Sequence, residues 1–268
     1  MGGDTDRWRT RAVEDFLRTV YMLQERSELV STSLIGRTLH IQAASVSDMI
    51  RRLGTPGDET KLSQGHFPSG PLLTHQLHHG VRLTKAGEAI ALQMLRRRRL
   101  LGLYLVQMLG YSWDEVDMET DRLEHDLTER LTERLNAAIG NPVTDLYGEP
   151  IPSAEGKLSR STDVSLAEMP ARHSGLVARI VDHSPELLRY LAALGLWPGT
   201  AVQVVDRSPL GDTITIQRAH SDSTCILSSE VAGHLRLTTD EPLAQGQQIA
   251  SNTVYKSRLA LKHIAQPR

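Results

Sequence analysis

Three residues near the middle of the chain, Asp121, Glu124 and His125, have types and a spacing that suit a divalent metal ion. They lie in an acidic stretch with helical periodicity, and residues three and four apart share one face of a helix. Two carboxylates and an imidazole can therefore point to one place. Asp15, in a separate amphipathic segment, offers a further carboxylate. Such a set of oxygen and nitrogen donors suits manganese(II) or iron(II).

The composition is that of an ordinary globular protein with mostly aliphatic cores. Of the 268 residues, 40% are hydrophobic, 23% are charged and only 4% are aromatic. No run approaches the roughly 18 apolar residues of a membrane span, and the polar N-terminus lacks the apolar core of a signal peptide. The single cysteine, Cys225, excludes an internal disulfide and a multi-cysteine zinc site. We therefore expect a cytoplasmic protein of two or three domains with no membrane segment.

Charge is distributed unevenly along the chain. Residues 1–110 carry 15 Lys and Arg against 10 Asp and Glu, whereas residues 111–155 carry 3 against 12. Residues 156–268 carry 12 against 10, so the formal net charge is only −2. A basic first segment suits binding to phosphates, and an acidic second segment attracts cations. Solvated helix faces would give the same pattern, so charge alone does not decide between these interpretations.

A helix-turn-helix pattern lies between Asp15 and the acidic stretch. A helix predicted over residues 8–26 is followed by a short helix ending near Leu39, a turn at His40–Gln42 and a helix from about Ala43 to Leu53. Small polar and basic residues on the outward face of this last helix are candidates for contact with DNA. They are, with the residue just before it, Gln42, Ser45, Ser47, Asp48, Arg51 and Arg52. A plain helical hairpin would show the same pattern.

The rest of the chain predicts a wing, a helical pair and a small β domain. Residues 54–80 are rich in Gly, Pro, Ser and His, and the strand-like run Gly80–Thr84 follows them, as in a long wing. One long helix is predicted to end at Leu109, and a second to run from about Ser112 to Ile139. Short alternating strands after Gly175 predict a small β-barrel.

In this order, the segments resemble the diphtheria toxin repressor family of metal-dependent transcriptional regulators. The resemblance covers roughly residues 10–240, and its most specific stretches are Val13–Tyr21, Gly80–Gly87 and Glu119–His125. The stretch Leu194–Gly199 looks like part of the SH3-like domain that this family shares with the FeoA ferrous-transport accessory proteins.

The resemblance implies a fold that is mainly α with a small β domain. Its expected order is a winged helix-turn-helix domain, a helical dimerisation and metal-binding domain, and a C-terminal SH3-like β-barrel. We place these domains at residues 1–92, 93–152 and 173–240, with a linker at 153–172 and a tail at 241–268. We expect a transcriptional regulator, specifically a repressor of metal-homeostasis genes. It would bind double-stranded operator DNA as a homodimer and would not be an enzyme.

The resemblance places Asp15, Asp121, Glu124 and His125 on the family's principal metal site. These ligands favour manganese(II) or iron(II), and we expect one site per chain. At the family's second, ancillary site, Arg98 stands where a ligating histidine is usual. We therefore expect the ancillary site to be absent.

Arg98 also leaves an alternative open. Gly102 and Asp117 depart from the family's ancillary ligands as well. A guanidinium cannot ligate a cation, but it can pair with carboxylates and supply positive charge in place of the metal. The chain would then be a metal-independent DNA-binding regulator.

Two interpretations from other classes remain. One is an enzyme that uses the acidic stretch as a catalytic metal centre, although no glycine-rich phosphate loop or activated nucleophile supports it. The other makes the β domain a protein-interaction module on a degenerate scaffold.

Overall fold

The chain divides into two compact units in the computed structural model. The described residues are 10–25, 27–54, 71–76, 79–159, 162–208, 212–219, 221 and 223–238. The predicted tail and most of the loop at 54–80 lie outside them. The first unit runs up to Arg97 and includes Pro152–Lys157, and the second comprises Arg98–Ile151 and Leu158–Arg268. Within the described residues, none of the helices has the length and apolar character needed to cross a membrane.

The first unit is a winged helix. Its elements are α1 (Arg11–Gln24), α2 (Thr32–Leu39), α3 (Ala43–Gly54), β1 (Leu73–Gln76), β2 (Gly80–Leu83) and the first part of α4 (Lys85–Leu109). The hydroxyl of Ser31 caps α2 by accepting a hydrogen bond from the Leu34 amide. His40 has a left-handed backbone with φ of 53°, which ends α2 and starts the turn into α3. β1 and β2 pair as an antiparallel wing, so the predicted helix-turn-helix and wing are confirmed.

Among its described residues, the buried core of the first unit is aliphatic apart from Phe16. Helix α1 buries Val13, Phe16, Leu17 and Val20, which recur at the three- and four-residue spacing of one helix face. Helix α3 buries Val46, Ile50 and Leu53 in the same cluster. Each such side chain stabilises the fold by roughly 1.5–3 kcal/mol when removed from water. Burial of this face fixes which residues of α3 point outward.

The second unit joins a helical part to an antiparallel sheet. The helical part comprises the rest of α4, α5 (Val116–Leu123), a 3-10 turn (Glu124–Asp126) and α6 (Glu129–Ala138). Six strands follow, with α7 (Pro185–Ala193) after β4 and α8 (Ser229–Gly233) after β7. The strands are β3 (Val164–Ser165), β4 (Ser174–Ile180), β5 (Ala201–Arg207), β6 (Thr213–Arg218), β7 (Thr224–Ser228) and β8 (Leu235–Thr238). Their order in the sheet is β3-β8-β4-β5-β6-β7.

The single helix predicted from Ser112 to Ile139 is wrong. After the 3-10 turn, Leu127 adopts an extended backbone with φ of −73° and ψ of 119°. The hydroxyl of Thr128 then caps α6 by accepting a hydrogen bond from the Leu131 amide. Because a threonine cap favours a new helix start over helix continuation, the acidic segment consists of two helices separated by a turn.

Residues 164–168 pack on the sheet, although the sequence pattern assigns them to a linker. Val164 and Ser165 pair with β8, and Leu166 is fully buried. Asp163 accepts hydrogen bonds from Arg179 and Arg236. A two-residue strand is too short to show an alternating apolar and polar pattern, so the sequence does not predict it. Its place is fixed by contacts with residues far away along the chain.

The helical part and the sheet of the second unit share one hydrophobic core. The rings of Trp113 and Trp197 lie 4.3 Å apart between centroids. The hydroxyl of Tyr147 donates a hydrogen bond to the carbonyl of Trp113 at 3.1 Å. The Ile180 amide donates to the carbonyl of Tyr147 at 2.8 Å. These contacts pack the sheet directly against the helices that carry the candidate ligands.

Candidate metal centre and DNA-binding face

The outward face of α3 carries the residues predicted to contact DNA. All six are exposed to solvent: Gln42, Ser45, Ser47, Asp48, Arg51 and Arg52. Arg51 donates a hydrogen bond to Asp48 one turn earlier, and both side chains remain well exposed. Small polar and basic side chains on an exposed helix fit the major groove, and contact of these particular residues with DNA stays a prediction.

Asp15 lies on α1, in the first unit. Its side chain is partly buried and accepts a hydrogen bond from Arg18 Nη2 at 3.0 Å. The preceding residue, Glu14, is buried, and its Oε1 lies 4.0 Å from Arg97 Nη1. The other three predicted ligands belong to the second unit, so their joint coordination of a metal with Asp15 stays a prediction.

Glu124 and His125 are positioned by the 3-10 turn after α5. Glu124 is fully buried and the His125 side chain is only 5% exposed, with Glu124 Oε1 3.7 Å from His125 Nε2. Asp121 lies one turn earlier on α5 and is more than half exposed. A lone buried carboxylate is costly without a positive partner. The Glu124 oxygen and the His125 nitrogen fit the donor set of a hard or borderline divalent metal.

Arg98, on α4, contacts three carboxylates of the same unit. Its Nη1 donates to Asp121 Oδ1 and lies 3.2 Å from Glu124 Oε2, and its Nη2 lies 3.3 Å from Asp117 Oδ1. Burial opposes the charge on Arg98, but Glu124, Asp117 and Asp121 outweigh it and raise the pKa of the guanidinium above its ordinary value. Arg98 therefore carries a permanent positive charge beside two of the four predicted ligands.

The next residue, Arg99, begins a chain of ion pairs that reaches the sheet. Arg99 Nε lies 3.4 Å from Asp145 Oδ2, and Arg99 Nη2 lies 3.7 Å from Glu149 Oε2. Glu149 Oε1 is 3.1 Å from Arg179 Nη1, and Arg179 Nε is 2.6 Å from Asp163 Oδ2. Sequence reasoning missed this chain of charges, because its members are far apart along the polypeptide. The only sequence signal is a run of four consecutive arginines.

Asp145 sits at the turn that carries this ionic chain. Its Oδ1 accepts hydrogen bonds from the Tyr147 and Glu149 amides, both at 2.9 Å. Burial raises the pKa of Asp145 above its ordinary value, although the charge of Arg99 opposes the shift. The carboxylate therefore shapes the turn as well as pairing with α4.

Three family models match consecutive parts of the chain. The iron dependent repressor N-terminal DNA binding domain matches residues 10–57. The iron dependent repressor metal binding and dimerisation domain matches residues 84–153. The FeoA domain matches residues 164–238. Together they define a class of protein: a DNA-binding regulator with a metal-binding and dimerisation domain and a FeoA domain.

Known relatives match most of the chain. The iron-dependent repressor IdeR of Mycobacterium leprae is 28% identical over 223 residues, which are 79% of this chain and 90% of that protein. The diphtheria toxin repressor of Corynebacterium jeikeium is 24% identical over 72% of this chain and 84% of its own. A solved manganese-dependent transcriptional repressor in complex with manganese is 31% identical, with a TM-score of 0.72 over 85% of this chain and 99% of that chain.

The chain therefore belongs to the iron-dependent repressor family, which includes the diphtheria toxin repressor. The relatives named above are transcriptional repressors, and none is an enzyme. The second family model is a metal binding and dimerisation domain, and the solved relative that is 31% identical is a complex with manganese.

Proposed function

We propose that the protein is a metal-responsive transcriptional repressor that binds double-stranded operator DNA as a homodimer in the cytoplasm. One observation carries the proposal: α3 presents an exposed polar and basic face in a chain of the iron-dependent repressor family. We expect its target genes to be those of metal homeostasis, because a repressor that responds to a metal can adjust their expression to the metal supply.

Six residues would form the DNA-binding face. Ser45 and Ser47 suit hydrogen bonds to phosphate oxygens, and Arg51 and Arg52 supply charge to the backbone. Asp48 could accept a hydrogen bond from the amino group of cytosine, or it could repel phosphate and reduce the affinity. Gln42, ahead of α3, is exposed on the same side of the turn.

We propose a single metal site per chain, formed by Asp15, Asp121, Glu124 and His125 and filled by manganese(II) or iron(II). Support comes from the adjacent, buried Glu124 and His125 side chains and from the oxygen-rich donor set. When bound, the ion would supply positive charge to these acidic residues. Asp15 belongs to the DNA-binding unit and the other three ligands to the second unit.

Exposed apolar side chains support a homodimer. Seven of the fourteen large hydrophobic residues exposed in the described part of the chain fall within residues 108–143. They are Met108, Leu109, Tyr111, Met118, Leu123, Leu131 and Val143. All seven fall within the segment that matches the metal binding and dimerisation model, and a second copy of this segment is the proposed occupant.

The test is DNA binding with and without metal. Duplexes selected from a random library in the presence of manganese(II) serve as probes, and the dissociation constant is measured with manganese(II) and with chelator. We expect chelation to weaken binding about tenfold or more, in the usual range of coupling between two sites. Glu124→Ala and His125→Ala should abolish this dependence, whereas Arg189→Met, a mostly exposed position on α7, should keep it. Equal affinity in both conditions would overturn metal gating.

The contacts of Arg98 favour a second candidate function. Because the guanidinium pairs with Asp121 and Glu124, it can supply the positive charge that a metal would otherwise bring. The protein would then be a metal-independent DNA-binding regulator. Operator binding that persists in chelator and is lost in Arg98→Gln would support this candidate over the metal-gated one.

A further inference from the structure

We infer that Arg98 is a built-in cation, a positioning residue that takes the place of an exchangeable metal ion between α4 and the carboxylates of Asp117, Asp121 and Glu124. The inference rests on the proposed function only for the role of the neighbouring metal site. It assigns to this chain a fixed charge at a place where a second ion would otherwise bind.

The geometry is that of a cation surrounded by its ligands. One guanidinium contacts three carboxylates through two nitrogens. Nη1 donates hydrogen bonds to Asp121 and Glu124, and Nη2 donates one to Asp117. The three acidic residues come from α5 and the 3-10 turn that follows it, whereas Arg98 comes from α4. The contacts therefore join two helices of the second unit, as a shared metal ion would.

The burial of Glu124 makes the positive charge of Arg98 necessary. Glu124 is fully buried, and the Arg98 side chain is only 22% exposed. A buried carboxylate without a positive partner is strongly unfavourable, and Asp117 and Asp121 add like charges nearby. The guanidinium offsets this repulsion permanently, since no accessible pH deprotonates it.

The two oxygens of Glu124 face different partners. Oε2 lies 3.2 Å from Arg98 Nη1, while Oε1 lies 3.7 Å from His125 Nε2. Arg98 thus contacts one oxygen of the carboxylate, whereas the other oxygen faces His125. It follows that the chain binds at most one ion in this region, and that removal of Arg98 opens a place for another.

The experiment counts manganese(II) ions bound per chain by calorimetry and by elemental analysis after dialysis. Four proteins are compared: wild type, Arg98→Gln, Arg98→Lys and Arg122→Gln. Arg122 is a matched control, because it lies on α5 and pairs with Glu119 but is largely exposed. We expect Arg98→Gln to bind one ion more than wild type. Arg98→Lys, which keeps the positive charge, and Arg122→Gln should bind the wild-type number.

Thermal unfolding gives a second readout. Without metal, Arg98→Gln should melt below wild type, and manganese(II) should raise its Tm more than it raises that of wild type. If Arg98→Gln does not fold without metal, Asp117→Asn replaces it as the test. That variant should keep the wild-type number of ions, because Asp117 pairs with Arg98 and not with a metal. A lost ion in Asp117→Asn would overturn the inference.

The outcomes separate this inference from the proposed function. A count that rises from one ion to two supports both. A rise from none to one supports the role of Arg98 but overturns metal gating. A count that Arg98→Gln leaves unchanged overturns the inference, and a count of one in wild type would then still support the metal-gated repressor.

Discussion

The ring of Tyr147 stacks on the imidazole of His183, with centroids 3.8 Å apart and ring planes 20° apart. Tyr147 lies in the turns after α6, and His183 follows β4. The stack therefore fastens the helical part of the second unit to its sheet. The segment that matches the metal binding and dimerisation domain and the segment that matches the FeoA domain share one hydrophobic core here. Substitutions that destabilise the sheet should therefore also destabilise the helical part that carries Arg98 and Glu124.

At Gly148, the packing between the helical part and the sheet leaves no room for a side chain. Its φ is +84°, and a Cβ added there would overlap the carbonyl oxygen of Ala178. We expect Gly148→Ala to lower the free energy of unfolding by about 3 kcal/mol, the combined cost of left-handed backbone and overpacking. Denaturant unfolding followed by tryptophan fluorescence measures the change.

Gly140→Ala is the matched control for that substitution. Gly140 has a similar φ of +81°, but nothing lies within 4 Å of an added Cβ. Only the backbone cost remains, so the loss should be about 1 kcal/mol. Equal losses in the two variants would show that the contact with Ala178 does not matter to stability.

Arg179 connects the ionic chain of Arg99 and Glu149 to Asp163. Replacement by methionine removes the charge while keeping much of the aliphatic length, and it leaves two buried carboxylates with one partner fewer. We expect Arg179→Met to destabilise the protein by about 2–3 kcal/mol, near the lower end for a broken buried pair.

The comparison for this prediction is Arg189→Met. Arg189 pairs with Asp114 and Glu186, yet its side chain is 54% exposed. Exposed pairs contribute little, so the change should stay within about 0.5 kcal/mol. If the two methionine variants unfold at the same denaturant concentration, the ionic chain has no special role.

Acid should weaken the fold partly through Asp163. Burial would raise the pKa of Asp163, but the hydrogen bonds from Arg179 and Arg236 outweigh it and hold the pKa below its ordinary 3.8. A carboxyl with a depressed pKa contributes stability above its unfolded pKa and loses it as pH falls through its folded pKa. The difference in free energy of unfolding between wild type and Asp163→Asn should be constant above pH 5 or so and shrink below about pH 4. A difference that grows on acidification would contradict this assignment.

Asp48 should restrain DNA binding. It pairs with Arg51 and places a negative charge on the face of α3. If repulsion of phosphate dominates, Asp48→Asn should bind the selected duplex more tightly, whereas weaker binding would indicate that Asp48 accepts a hydrogen bond from cytosine. Arg52→Ala should bind more weakly and reduce the slope of log Kd against log salt by about 1, the loss of one phosphate contact. Arg189→Met, outside both the helix-turn-helix and the proposed dimer surface, is the control and should leave both the affinity and the slope unchanged.

The sequence by itself determined the exposed face of α3 and most of the order of elements, but not the break at Leu127 or strand β3. Helical periodicity is local: Val13, Phe16, Leu17 and Val20 recur at fixed spacing, and the structure buries them together. The helix-turn-helix and the strands of the β domain follow from patterns of this kind. The types of the candidate ligands are equally visible, because a short run of residues holds three of them.

Only the tertiary structure decided which charges meet. Arg98 and Glu124 are 26 residues apart, and an arginine in a run of four has many carboxylates within reach of its length. Nothing local selects among them, so the pairing of Arg98 with Asp117, Asp121 and Glu124, and of Arg99 with Asp145 and Glu149, depends on how helices pack. The break at Leu127 is not visible in the sequence pattern, because Leu123, Leu127, Leu131 and Leu135 keep helical spacing across it.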